Sequence, residues 1–227
     1  MPTVLITGAN RGLGLGLARA YLADGWQVVA AVRQSSAELE ALRNGSLDIR
    51  QLDLCNDDEL AALAGNLGDR PIDVLINNAG RQAEPGRQGL GDFDRGSWRA
   101  VFDINLFTPM RLAELFLDHL ERSGRGRIVT VSSDLGSMAL NTFGGFYAYR
   151  ASKAAVNAIT RSMAIDLAGR GIIAIALHPG WVLTDMGGPD AQLTVETSVR
   201  GLQQVIDGLR PEDSGKFLSW DGLELPW

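Results

Sequence analysis

Tyr149 and Lys153 stand four residues apart in the run Tyr149-Arg150-Ala151-Ser152-Lys153. The chain holds only three Tyr and two Lys, so a chance Tyr-x-x-x-Lys is expected only about 0.03 times. The run opens a helical pattern, where a four-residue step puts both side chains on one face. Of 21 Lys and Arg residues, all but Lys153 and Lys216 are Arg. Arg cannot release its proton, whereas Lys is a compact charge that can relay one. A phenol beside an ammonium is a proton donor for an oxygen that gains negative charge. Its ordinary pKa of about 10 is too high for efficient exchange at neutral pH, and a neighbouring ammonium lowers it. Tyr147 has no Lys four residues beyond it. Lys216, in Glu212-Asp213-Ser214-Gly215-Lys216, reads as a solvated turn residue.

An oxygen that develops charge also needs a hydrogen-bond donor. Ser132, Ser133 and Ser137 follow an apolar run and are the candidates. Neighbouring residues of an extended chain point to opposite faces, so Ser132 and Ser133 cannot both serve. His119 reads as a helix-surface residue and His178 as a strand-end one. Neither belongs to a Cys/His cluster with metal-ligand spacing, so no metal is expected. No G-x-S-x-G is present, which argues against a serine hydrolase.

At the other end of the chain, Thr7-Gly8-Ala9-Asn10-Arg11-Gly12-Leu13-Gly14 follows an apolar run and opens a helical pattern. Gly8 suits a tight turn, Gly12 a close approach of backbone N–H groups to a diphosphate, and Gly14 close packing of helix on strand. Anions are favoured at a helix N-terminus by its free N–H groups and dipole. After the second apolar run the chain reads Ala31-Val32-Arg33-Gln34, with no acid to bind a ribose 2′-hydroxyl. Arg33 stands there instead, and an Arg fork matches phosphate geometry, as of a 2′-phosphate. NADP(H) is therefore expected in preference to NAD(H).

These groups need a scaffold that brings residues 7–14, 132–133 and 149–153 together. Short β-rich runs at 4–7, 27–32, 49–53, 73–77, 127–132, 172–178 and 216–220 predict seven strands. Several are apolar at consecutive positions, as in strands buried on both faces of a parallel sheet. Helical patterns alternate with them. A capping box of Ser35 and Glu38 precedes one. Another spans 57–67, a long one spans 97–122 with a bend at Pro109, and two more span 149–167 and 194–209. Strand–helix alternation predicts an α/β fold: one doubly wound Rossmann-type domain over 1–227, with a parallel seven-stranded sheet and helices on both faces.

Composition agrees. The 227 residues are 45% apolar and 21% charged, with net charge −6. The 27 Gly, with no low-complexity run to explain them, suit tight turns and close approaches. No dense basic stripe points to nucleic acid. No apolar stretch reaches membrane-spanning length, and the N-terminus lacks the marks of a signal peptide. A lone Cys55 excludes an internal disulfide and fits a reducing compartment, so a cytoplasmic protein is expected.

The motifs, in this order and at these strand ends, resemble the short-chain dehydrogenase/reductase family, whose loop is T-G-x-x-x-G-x-G. Asn77-Asn78-Ala79-Gly80 resembles its N-N-A-G segment, Asp53-Leu54 its adenine contact, and His178-Pro179-Gly180-Trp181-Val182-Leu183-Thr184 its P-G-x-x-x-T segment. The resemblance covers essentially the whole chain. It implies hydride transfer between a nicotinamide cofactor and a carbonyl or hydroxyl carbon of a small molecule. It implies Tyr149 as proton donor, Lys153 on the nicotinamide ribose, Ser133 on the substrate oxygen, and Asn105 holding a water linked to the Lys. The implied cofactor-binding set is Gly8, Asn10, Arg11, Gly12, Leu13 and Gly14, then Arg33, Asp53 and Leu54, then Asn78, Ala79 and Gly80, then Pro179, Gly180, Val182 and Thr184, with Tyr149 and Lys153. Two departures stand out. Ser133 lies 16 residues before Tyr149, against about 13 in many relatives, and Arg150 stands where relatives often carry a small residue. Tyr149-Arg150, the segment around Trp181, and Gly215-Lys216-Phe217-Leu218-Ser219-Trp220-Asp221-Gly222 with Pro226-Trp227 are similar to the C-factor-like and sniffer-like carbonyl reductases. In that group a signalling or interaction role without essential chemistry is the competing expectation. Met138, Phe143, Phe146, Trp181 and Met186 are the candidate pocket wall. The resemblance also implies pairing through the helices after the fourth and fifth strands, as a homodimer or homotetramer, with Pro226-Trp227 as an expected contact.

Overall fold

The computed structural model describes residues 1–84 and 86–227. Seven strands, β1 Thr3–Thr7, β2 Gln27–Val32, β3 Leu47–Gln51, β4 Val74–Asn77, β5 Arg127–Val131, β6 Ile173–His178 and β7 Phe217–Ser219, form one sheet. Its order is β3-β2-β1-β4-β5-β6-β7, and every pairing is parallel. The direction of strand order reverses between β1 and β4, the switch point where such sheets bind ligands.

The apolar runs of the central strands are continuous because both faces are covered. Val4, Ile6, Val28, Ala30, Val129 and Ile175 face one core with Leu17 and Tyr21 of α1 (Gly12–Ala23) and Val199 and Leu202 of α8 (Val195–Gly208). Leu5, Val29, Leu75, Ile128 and Ala174 face the other. There they meet α3 (Asp57–Leu67), α5 (Thr108–Leu115), α6 (Leu117–Arg122) and α7 (Tyr147–Asp166). The remaining helices are α2 (Ala37–Glu40) and α4 (Arg95–Phe102).

Three local expectations need correction. The pattern over 97–122 is not one helix bent at Pro109. After α4 the chain makes a π-helical stretch, Asp103–Phe107, and a further break falls at Phe116 between α5 and α6. Pro109 has no N–H for the carbonyl of Asn105, so the α ladder cannot run through this point. The Thr108 N–H reaches back five residues to Asp103 instead, and its hydroxyl donates to the same carbonyl at 3.0 Å. The cap of α2 is Ser36, which accepts from Leu39 N–H; Ser35 instead donates to Glu40 at 2.7 Å. His119 is buried, its Nδ1 2.8 Å from Arg70 O and its ring 5.0 Å from Phe116.

Candidate active site

The strand ends next to the switch point carry the predicted residues. Thr7, at the end of β1, accepts hydrogen bonds from the N–H groups of Asn78 and Ala79, each at 3.0 Å. Asn78 Nδ2 returns bonds to Thr7 O at 2.8 Å and Gly8 O at 3.3 Å. The glycine turn is thus tied to the Asn77-Asn78-Ala79-Gly80 segment at the end of β4. Gly8 and Gly12 have positive φ, 68° and 53°. A Cβ on Gly14 would lie 2.2 Å from Gly8 O and 2.5 Å from Asn78 Nδ2, so helix α1 can approach this closely only with glycine there. Helices α2, α3, α4 and α8 have side-chain caps, from Ser36, Asn56, Asp94 and Thr194. The first turn of α1 has neither a side-chain cap nor an acid. Its free N–H groups suit an anionic diphosphate.

Around this cradle, Ser36 Oγ donates to Asn10 O at 2.7 Å, and Arg33 is exposed after β2. Arg11 forms an ion pair with Asp185. Asp53 and buried Leu54 lie beyond the end of β3, where Asp53 accepts from Cys55 N–H at 3.0 Å and Thr108 Oγ1 donates to Leu54 O at 2.8 Å. Thr184 hangs over the glycine loop, since a Cβ on Gly12 would lie 3.4 Å from Thr184 Cγ2. Its segment is held by Ser198 Oγ on Pro179 O at 2.6 Å, a parallel bridge between Val182 and Leu193, and Trp181 Nε1 on Gly187 O at 2.7 Å. Gly180, with φ 80°, faces Leu193 and Trp220.

The chemical groups meet where β5 ends and α7 begins. Ser132 is buried, and its hydroxyl donates to Asn157 Oδ1 at 2.6 Å. Ser133, on the other face, lies beside the Tyr149 phenol; its hydroxyl donates to Asp134 Oδ1 at 3.0 Å and accepts from Leu135 N–H at 3.1 Å. The geometry thus separates the two serines that spacing left open. The 3₁₀ turn Asp134–Gly136 then docks on α7: a Cβ on Gly136 would meet the backbone carbon of Lys153 at 2.9 Å. Tyr149 and Lys153 are both buried, whereas Tyr147 is 43% exposed and faces away. The π stretch turns Asn105 inward, 1% exposed. Its Oδ1 accepts from Arg81 N–H, and its Nδ2 donates to Arg81 O and Ser152 Oγ, each at 2.9 Å. A Cβ on Gly80 would lie 3.2 Å from Asn105 Oδ1 and 3.7 Å from Lys153 Nζ.

The electrostatics differ from the sequence expectation. Burial pushes the Tyr149 phenol up to about 12, against a smaller lowering effect of the Ser133 hydroxyl. Burial pulls Lys153 down to about 8. Its Nζ donates to Val131 O at 2.7 Å and sits 5.6 Å from the Tyr149 ring centroid. The ammonium is therefore bonded to the backbone of β5, and desolvation sets the direction of the phenol's shift. Burial also lowers His178, which accepts from Asp134 N–H at 3.1 Å. Thr7, Ser152 and Asn157 support the site without appearing among the predicted residues. Thr7 had a signal, as the first letter of the glycine motif; the other two have none, because helix polarity does not reveal which face meets a strand end.

Met138, Phe143, Trp181 and Met186, 77%, 68%, 51% and 44% exposed, lie on the loops after β5 and β6. Among the described residues no group of three or more His, Cys, Asp or Glu is placed to hold a metal, and no helix is long and apolar enough to cross a membrane.

Comparison with known proteins places this geometry. A family model described as short chain dehydrogenase matches residues 2–193. The chain is 48% identical over 168 residues to the C-signal of Myxococcus xanthus, covering 74% of this chain and all of that one. Its structure resembles the carbonyl reductase Sniffer of D. melanogaster with a TM-score of 0.94 and 36% identity, covering 100% of both chains. It also resembles an NADPH-bound carbonyl reductase from chicken fatty liver, with a TM-score of 0.91 and 32% identity over 100% of this chain and 99% of that one. The chain is an NAD(P)-dependent oxidoreductase and belongs to the short-chain dehydrogenase/reductase family.

Proposed function

We propose that residues 1–227 act as one unit, a carbonyl reductase that prefers NADP(H) over NAD(H). The observation that carries this reading is the burial of Tyr149 and Lys153 together beside β5, with Lys153 Nζ 5.6 Å from the Tyr149 ring centroid and Ser133 beside the phenol. A phenol so placed can give its proton to a carbonyl oxygen as charge develops there, the role that carbonyl reduction requires; the positive ring of the oxidised cofactor would offset the burial that raises its pKa. The uncapped first turn of α1 and the glycine turn fit a diphosphate. The bound nicotinamide supplies the hydride. Ser133 holds the substrate oxygen, Tyr149 delivers the proton, and Lys153 lies beneath them at the cofactor ribose. Asn105, joined to Arg81 and Ser152, keeps the β4 end in register with α7. Val182 and Thr184 close over the cofactor, with Pro179 and Gly180 turning the chain into place.

Arg11 and Arg33 are the groups for a 2′-phosphate, and the likeness to an NADPH-bound reductase supports that reading. The Arg11–Asp185 pair is exposed, 70% and 78%, so it is worth little and yields readily to a phosphate. NADPH and NADH oxidation against a panel of aldehydes and ketones tests the assignment. Turnover with kcat/KM higher for NADPH supports it. Preference for NADH removes the NADP assignment, and absence of turnover with any carbonyl removes the reductase.

The likeness to the C-signal favours a second reading, a cofactor-binding signalling protein. It predicts NADPH binding without carbonyl turnover. Exposed Phe107, Met110 and Ile165 on the π stretch, α5 and α7 support a homodimer or homotetramer through these helices in a cytoplasmic protein. Light scattering showing a monomer removes the oligomer.

A further inference from the structure

The loop before Tyr149 turns through left-handed backbone that suits its two glycines and not the phenylalanine that follows them. Gly144, Gly145 and Phe146 are consecutive left-handed residues, with φ 69°, 67° and 51°. Phe146 is the only non-glycine residue with positive φ among the described residues. A bulky side chain there is an outlier that its surroundings must impose.

Arg150 supplies that constraint. It is buried, 8% exposed, one residue beyond the catalytic Tyr149. Its Nε donates to Gly145 O at 3.2 Å and its Nη2 to Gly144 O at 3.3 Å. Nη1 reaches Leu135 O at 3.4 Å, in the turn that follows Ser133. The guanidinium carbon lies 4.6 Å from the centroid of the Phe143 ring. Among the described residues no carboxylate lies within ion-pair distance of it. A planar fork of five N–H donors can bind three carbonyls and stack on a ring together, and an ammonium cannot. The start of the loop has its own anchor. Ala139 N–H donates to Trp227 O at 3.1 Å, and Trp227 stacks on buried Phe217 at 5.5 Å. The expected contact of Trp227 at a subunit interface thus has a partner within its own chain.

We infer that Arg150 is a positioning residue for the substrate: it holds the left-handed turn at 144–146, and with it Phe143 and Phe146, in register with the turn that carries Ser133. The inference rests on the carbonyl reductase reading. Its consequence is a fixed aromatic wall that favours bulky apolar carbonyls over small aliphatic ones.

The test uses the full chain with NADPH and two carbonyls, one bulky aryl and one small aliphatic. Arg150→Lys and Arg150→Ala are expected to raise KM for the aryl substrate roughly tenfold, with kcat within about threefold. The aliphatic KM and the NADPH Kd stay unchanged. Amide hydrogen exchange over 137–146 rises in both variants. Added ethylguanidinium restores the aryl KM of Arg150→Ala and leaves wild type as it was; a rise confined to the aryl KM, with kcat, aliphatic KM and NADPH Kd unmoved, is what a merely structural role does not produce. If Arg150→Ala does not fold, Arg150→Lys carries the test through KM and exchange. Unchanged aryl KM and exchange in Arg150→Lys, beside an active wild type, overturn this inference alone. A wild type that binds NADPH yet reduces no carbonyl overturns it together with the functional reading.

Discussion

On the β1–β4 side of the site, Thr7 and Asn78 join the glycine turn to the facing strand end by four hydrogen bonds of 2.8–3.3 Å. Gly14 leaves no room there for another atom. On the β5–β6 side, Met138, Phe143, Trp181 and Met186 stand largely in solvent, and the loop that bears two of them is tied down at Arg150 and Trp227. A diphosphate has one shape, so the half suited to it is close-packed and closed by backbone bonds. A substrate pocket is built from side chains on loops, which change without disturbing the sheet. Damage on the first side should therefore cost folding and cofactor binding together, and damage on the second should change KM alone.

The largest effect is expected at Gly14. Gly14→Ala forces a Cβ within 2.2 Å of Gly8 O, against backbone that cannot move away. The expected loss is about 3 kcal/mol or more, read as a melting temperature lower by roughly 10 °C and loss of NADPH fluorescence enhancement. A variant that melts and binds like wild type breaks the contrast. Thr7→Val comes next. It leaves the N–H groups of Asn78 and Ala79 without their acceptor, which costs about 2–4 kcal/mol in urea unfolding.

Lys153 gives a smaller effect with a defined sign. Its folded-state pKa is about 8, below the ordinary 10.5. Between those values the unfolded chain binds more protons than the folded one, so stability rises with pH across the window. Lys153→Met removes that slope. Wild-type stability relative to the variant should grow by on the order of 1 kcal/mol between about pH 7.5 and about pH 9.5. A difference that stays flat would mean the ammonium is solvated. Phe143→Ser should be mildest on the fold, within about 0.5 kcal/mol in urea, while raising KM for an aryl carbonyl several-fold. A large loss of stability there would place Phe143 in the core and remove the contrast.

The same division explains what could be read in the sequence. Central strands buried on both faces show as apolar runs, and the edge strand β3, Leu47–Gln51, shows only as a short β-rich stretch; all seven are legible, with ends off by no more than two residues. The glycine loop and the Tyr149–Lys153 step are local in sequence, and the fold places them as their spacing predicts. Other features depend on contacts between distant segments. The π stretch that turns Asn105 inward comes from Pro109 and from Thr108 bonding to Leu54, 54 residues away. Ser132 and Ser133 are adjacent, and only the position of Asn157 on α7 tells them apart. Arg150 shows in the sequence as an unusual neighbour of Tyr149; the carbonyls it gathers do not. The spacing predicts a phenol lowered by its ammonium neighbour. Burial, which spacing cannot reveal, moves it the other way.

That phenol is the centre of the account, and Tyr149→Phe tests it most directly. The substitution keeps the ring in its buried position and removes only the proton donor. With a carbonyl that wild type reduces, kcat/KM should fall by about 10³-fold, while NADPH Kd and melting temperature match wild type. A variant that binds NADPH normally and reduces the same carbonyl within about threefold of wild type would contradict the assignment of Tyr149 as the acid.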